Sequence, residues 1–115
     1  MSLARINTLQ LVSDCQGDQQ SANLRLESFC ERGLQLLDLI EISISDANWA
    51  AVEDLTDQMQ RALQSIGADS VANLAKALVS QPSDNEKKAW PAFLDLQREI
   101  DSLVREIETY FVDGN

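Results

Sequence analysis

The stretch DLTDQMQRALQSIGA, residues 54–68, has the spacing of an amphipathic helix and its end. Its apolar side chains recur every three or four residues, which aligns them on one side at about 100° per residue. The whole helix is predicted over Trp49–Ile66, with inward residues Val52, Leu55, Met59, Ala62, Leu63 and Ile66. Gly67 ends it, because glycine adopts a positive φ without strain. Asp57 and Arg61 fall almost opposite the apolar side, so we expect both to be exposed.

Helical spacing of apolar residues also marks the rest of the chain. A weak pattern predicts a first helix over about Leu3–Cys15, and a strong pattern predicts a long helix over Gln20–Ile44. Another helix is predicted over Ser70–Ser80, and a last helical segment carries apolar residues from 90 to 111. Within that segment Pro91 either kinks one long helix or opens a second one.

Short polar connections join these helices. Residues 46–48 offer an N-cap, and residues 81–85 are predicted to form a loop in which Ser83 and Glu86 make a capping box. One short and four longer helices fit an antiparallel four-helix bundle with an additional short N-terminal helix. We therefore predict one all-α domain over residues 1–115, which is long enough for a single core.

The composition argues against several classes of partner. Nine basic and nineteen acidic residues give a net charge of −10, which repels phosphate backbones and anionic lipids. No apolar run approaches the roughly 18–20 residues that span a bilayer. We therefore expect neither nucleic acid nor membrane as a partner. Residues 1–12 lack the basic start and apolar stretch of a signal peptide, so we expect a cytoplasmic protein.

The chain contains no histidine. This excludes a Ser-His-Asp or Cys-His nucleophile, a histidine general base and a phosphohistidine carrier. Cys15 and Cys30 do not form a metal-binding pair, so we expect two free thiols, with Cys30 packed as a small buried apolar residue. No Gly-rich phosphate loop or di-iron pattern is present. We expect no enzymatic activity, no metal and no cofactor.

An ordered set of short motifs connects the predicted helices. The ordered set begins at Phe29 within the long helix, continues with Asp46-Ala47-Asn48-Trp49 as a turn, and reaches Ser65-Ile66-Gly67-Ala68 at the end of the next helix. Residues 71–78 form the helix after that. This order resembles the core of bacterial histidine-containing phosphotransfer (HPt) domains. The resemblance covers about Ala22–Phe111, and it implies an HPt-like core of about residues 20–112.

The chain departs from the HPt pattern His-x-x-Lys-Gly at each defining position. Alignment on Ser65-Ile66-Gly67-Ala68 places Asp57 at the histidine, Gln60 at the lysine and Arg61 at the glycine. Asp57 has no imidazole nitrogen to accept a phosphoryl group, and Gln60 has no charge to balance one. Asp57 also lacks the metal pocket that aspartyl phosphorylation needs. The simplest interpretation of Asp57 is an exposed i,i+4 ion pair with Arg61.

The resemblance implies a binding role for the exposed helix face. HPt domains dock response-regulator receivers with the equivalent face, so this chain would bind a receiver or a sensor kinase without accepting phosphate. The predicted binding residues are Leu34, Glu53, Asp57, Gln60, Arg61 and Gln64. Receiver active sites are rich in carboxylates and would repel Asp57 unless Mg²⁺ or Arg61 compensates. The alternative is a helical-bundle adaptor or homo-oligomer unrelated to phosphorelay.

Overall fold

A computed structural model of the chain describes residues 5–80 and 86–113. Over these residues the protein has five α-helices and no strand, which confirms the prediction of an all-α protein. None of the described helices is long and apolar enough to cross a membrane. The helices are α1 Thr8–Asp14, α2 Gln19–Ser45, α3 Trp49–Ser65, α4 Asp69–Ser80 and α5 Glu86–Asp113.

The structure moves one predicted helix start and resolves one open alternative. The first helix was predicted from Leu3, which lies outside the described residues, but residues 5–7 are not helical and α1 begins only at Thr8. The Asn7 side chain accepts a hydrogen bond from the Gln10 N–H and caps the helix at this point, while the Asn7 N–H is held by the Gly67 carbonyl. At the other end of the chain, α5 runs continuously through Pro91, so the structure has one long helix there, one of the two alternatives that the sequence leaves open. The predicted loop 81–85 and its capping box lie outside the described residues.

The four longer helices pack in a closed order around one core. α2 packs against α3 and α5, and α4 also packs against α3 and α5. Two hydrogen bonds give the relative direction of α2 and α3: Arg25 reaches the Ser65 carbonyl at 3.3 Å, and Arg32 reaches Gln58 at 2.7 Å. The residue number increases from Arg25 to Arg32 on α2 while that of the bonded residue decreases from Ser65 to Gln58 on α3, so the two helices run in opposite directions. Fully buried side chains between the helices include Leu36, Ile40, Met59, Leu63, Phe93, Leu96 and Ile100.

The residues around α1 attach to the connection between α3 and α4. The Asn7 N–H donates to the Gly67 carbonyl at 3.0 Å, while Ile6 and Leu11 are buried in the core. Gly67 has a φ of +75°, and a Cβ placed on it would lie 3.0 Å from the Asn7 carbonyl oxygen. Glycine is therefore required here both for its backbone conformation and for the close approach of Asn7.

An ion-pair cluster ties the same N-terminal residues to α5. The Arg5 guanidinium lies 2.7 Å from the Glu99 carboxylate and 2.9 Å from the Glu106 carboxylate. The hydrogen bond to Glu99, helped by Glu106, raises the pKa of Arg5 above its ordinary value. All three side chains are about one-third exposed, so the cluster is partly screened by water.

The outward side of α3 as a candidate binding face

The α3 helix presents Asp57 and Arg61 to solvent. Their side chains are 51 % and 77 % exposed, and Arg61 Nη2 lies 2.8 Å from Asp57 Oδ2. The i,i+4 ion pair predicted from the spacing is thereby confirmed. Arg61 is the one basic residue in α3, and its ion pair with Asp57 balances its charge within the helix.

Beside Asp57 the surface forms an open depression of about 450 Å³. Its lining residues are Ala50, Glu53, Asp54, Asp57 and Gln60. Three of these residues are carboxylates and none is basic, so the depression concentrates negative charge on the N-terminal half of α3.

The predicted binding residues are only partly brought together. Glu53, Asp57 and Gln60 share the depression, whereas Arg61 and Gln64 lie exposed further along α3 and do not line it. Ala50 and Asp54 complete the lining without having been predicted as binding residues. Ala50 gave no signal, because a small apolar residue in the first turn of a helix is ordinary.

The sixth predicted residue, Leu34, is exposed on α2 but lies away from α3. Arg25 and Arg32 both bond to α3 and so mark the side of α2 that faces it. At about 100° per residue, Leu34 falls about 180° from Arg25 and about 160° from Arg32. The exposed leucine on the α3 side is instead Leu39, which lies only about 20° from Arg32. The structure therefore does not bring Leu34 to the α3 face.

Side chains of α2 hold part of the α3 face in place. Arg32 donates to Gln58 Oε1 at 2.7 Å, and Gln58 Nε2 donates to Asp54 Oδ2 at 3.0 Å. This chain orients one carboxylate of the depression through the neighbouring helix. Arg25 bonds the Ser65 carbonyl, one of the last carbonyls of α3, which lack partners within the helix.

Sequence spacing missed a buried polar residue on the inner side of α3. Thr56 is 0 % exposed, and its hydroxyl oxygen has no hydrogen-bond partner. Leu55 and Ala62, which were predicted to point inward, are only partly buried. The inner side is therefore centred closer to Thr56 than the apolar residues alone indicated.

The described residues contain no group of three or more Cys, Asp or Glu side chains arranged to hold a metal ion. Neither cysteine supplies an obvious nucleophile. Cys15 is buried and Cys30 is half-buried, and both are free thiols. Burial, together with the carboxylates of Glu108 and Glu27, raises the pKa of the Cys30 thiol to about 11. Because the thiolate is the reactive form, Cys30 is poorly reactive at neutral pH.

Comparison with models of protein families, with curated proteins and with solved structures found no match to this chain. The fold and the face described above define an all-helical protein with an acidic, solvent-facing depression on α3.

Proposed function

We propose that this protein is a noncatalytic, phosphotransfer-like (pseudo-HPt) interaction module of bacterial two-component signalling. It binds a response-regulator receiver or a sensor kinase and accepts no phosphate itself. One observation carries the proposal. Asp57, which aligns with the HPt histidine, is 51 % exposed on the outward side of α3 and lines an open depression there.

The packing of the long helices supports this proposal. We infer an antiparallel four-helix bundle made of α2 to α5, with α1 as the additional short helix. The closed packing order of the four helices and the opposite directions of α2 and α3 are compatible with such a bundle. The positive φ of Gly67 after α3 is compatible with the aligned Ser-Ile-Gly-Ala segment as a helix end.

The chemistry of the face supports binding without transfer. The chain has no histidine to carry a phosphoryl group. The carboxylate of Asp57 is engaged by Arg61 at 2.8 Å, and Gln60 cannot supply a compensating cation. A phosphoryl group on Asp57 would also add charge beside Glu53 and Asp54.

Electrostatics restricts which form of a receiver would bind. The depression carries three carboxylates, and the one arginine of α3 is already paired. An acidic receiver site is repelled by this surface unless a divalent cation lies between them. We therefore expect receiver binding to strengthen when the receiver is loaded with Mg²⁺.

The binding test uses charge reversal on and off the face. Receivers and sensor kinases from the encoding organism are titrated against the protein by calorimetry, and a specific partner is expected among them. The double variant Asp57→Lys, Arg61→Glu should weaken that binding at least about tenfold, since it reverses the charges that a partner meets. Asp101→Lys, Arg105→Glu is the matched control, because both residues are exposed at the same i,i+4 spacing on α5. Equal loss in both variants, or no binding by any receiver or kinase, contradicts the proposal and favours the unrelated adaptor.

A gain-of-function test addresses the scaffold separately. The triple variant Asp57→His, Gln60→Lys, Arg61→Gly restores His-x-x-Lys-Gly in the aligned register. It should take up labelled phosphate from a phosphorylated partner, while the unmodified protein should not. The Arg61→Gly change costs about 1 kcal/mol of helix stability, so circular dichroism must first show a folded variant. Stable label on the unmodified protein refutes the noncatalytic assignment. A folded triple variant that still binds the partner but stays unlabelled refutes an HPt-like docking geometry.

A further inference from the structure

The outward side of α2 carries a row of large apolar side chains. Leu24, Leu34, Leu39 and Ile42 are 56 %, 42 %, 45 % and 56 % exposed. Leu24 and Ile42 are separated by about five helical turns, so they lie on one line about 27 Å long. Leu34 and Leu39 fall on opposite flanks of this line. Because Leu39 lies on the α3 side, the outward side carries three exposed apolar residues, Leu24, Leu34 and Ile42, within about 80° of one another along the helix.

Carboxylates are interspersed with these apolar residues. Glu31 and Asp38 are exposed within about 40° of the line from Leu24 to Ile42. The structure describes every residue of α2, and the basic ones are Arg25 and Arg32, which both bond to α3. The outer face of α2, defined by Leu24, Glu31, Leu34, Asp38 and Ile42, is therefore apolar and acidic without a cation, whereas Leu39 lies on the α3 side next to Arg32.

We propose that the outer face of α2 binds a basic amphipathic helix of a partner protein. The apolar stripe of such a helix covers the leucines, and its Lys or Arg side chains pair with the carboxylates. A line of about 27 Å matches a partner helix of about 18 residues. A second copy of this chain is a poorer occupant, because the carboxylates of two such faces would repel each other, and each molecule has a net charge of −10. This surface is separate from the depression on α3.

The first test uses a defined peptide. The full chain is titrated with an 18-residue peptide that carries leucines at i, i+3, i+4 and i+7 and lysines elsewhere. A peptide of identical composition with its leucines scattered around the helix serves as control. We expect one saturable site for the first peptide and binding at least about tenfold weaker for the second, since only the first presents an apolar stripe. The affinity should fall as salt is raised.

Replacing apolar residues with serine tests the apolar part of the outer face of α2. The double variant Leu34→Ser, Ile42→Ser should bind the amphipathic peptide at least about tenfold more weakly, because each change removes apolar surface that the peptide covers. Leu9→Ser is the matched control, since Leu9 is an exposed leucine on α1 with 85 % of its surface accessible. Circular dichroism checks that each variant stays folded, as expected for exposed positions. Equal weakening by the control variant overturns the proposal.

Charge variants locate the binding face. The double variant Glu31→Lys, Asp38→Lys should bind the peptide at least about tenfold more weakly, because the new lysines repel the lysines of the peptide that the carboxylates attracted. Glu53→Lys, Asp54→Lys makes the same change in net charge on α3 and should have a much smaller effect. Backbone amide shifts on peptide binding should follow the outer side of α2.

Three further results overturn the proposal. One is equal affinity for the peptide with scattered leucines, because binding would then depend on net charge alone. Another is amide shifts that map to the α3 depression alone. The third is self-association in sedimentation that Leu34→Ser, Ile42→Ser abolishes, because the face would then be covered by a second copy.

Discussion

Replacing Thr56 with valine should stabilise the protein. Thr56 is completely buried on the inner side of α3, and its hydroxyl has no hydrogen-bond partner. The buried Ser43 hydroxyl differs, because it donates to the Leu39 carbonyl at 2.8 Å. An unpaired buried hydroxyl costs about 1–3 kcal/mol. Valine has nearly the same shape and a similar helix propensity, so Thr56→Val should raise the free energy of unfolding by about 1–3 kcal/mol.

This gain is measurable by urea unfolding followed by circular dichroism at 222 nm. For a chain of 115 residues, each kcal/mol corresponds to about 4 °C in melting temperature. The melting temperature should therefore rise by about 4–12 °C with an unchanged urea m-value. Thr109→Val is the matched control, because Thr109 is exposed in α5, and its effect should stay within about 0.5 kcal/mol. A Thr56→Val variant as stable as the parent, or less stable, would show that the hydroxyl is paired and refute the reasoning.

Three further predictions concern the N-terminal attachment and the thiol. Gly67→Ala should lower the free energy of unfolding by more than Gly17→Ala in urea titrations. Both glycines have positive φ, which costs alanine about 1–2 kcal/mol, but only Gly67 faces the Asn7 backbone at 3.0 Å. Arg5→Met should lower the free energy of unfolding by about 1 kcal/mol in dilute buffer and by less in 1 M salt, since the ion pairs are partly exposed. A loss that does not respond to salt would argue against an electrostatic origin. The pKa of Cys30 is raised to about 11, so only a very small fraction of this thiol is ionised at pH 8 in the folded protein. Its modification by a disulfide reagent, followed by mass spectrometry, should therefore be much slower at pH 8 in the folded protein than in urea.

Much of the secondary structure was predictable because it depends on local spacing. The bounds of α3 agree with the prediction within one residue, since Asn48 caps its start and Gly67 follows its end. The start of α1 was not predictable in this way. Asn7 donates its N–H to Gly67, a residue 60 positions away, and the helix begins only after it. Pro91 was ambiguous for a different reason, because the tertiary packing of the following apolar residues decides whether α5 continues through it.

The same distinction between local spacing and tertiary packing applies to the candidate site. Helical periodicity was sufficient to predict that Asp57 and Arg61 are exposed and four residues apart, and the ion pair follows from that spacing. Periodicity could not find the Asp54–Gln58–Arg32 hydrogen bonds, because they need the register between α2 and α3. The residues that line the depression all belong to α3, and Ala50 among them was missed because a small apolar residue in the first turn of a helix does not indicate a binding site.

The sequence by itself determined which side of each helix is apolar, where α3 ends and that no histidine can carry phosphate. These features depend on residue identity and on helical geometry within one segment. Only the tertiary structure decided which flank of α2 faces α3. Leu34 and Leu39 are equally apolar and lie on opposite flanks, and no local rule separates them. The hydrogen bonds from Arg25 and Arg32 place Leu39 on the α3 side and leave Leu34 on the other. The physical reason is that a helix specifies its own faces, whereas the neighbour of each face is set by packing against the whole core.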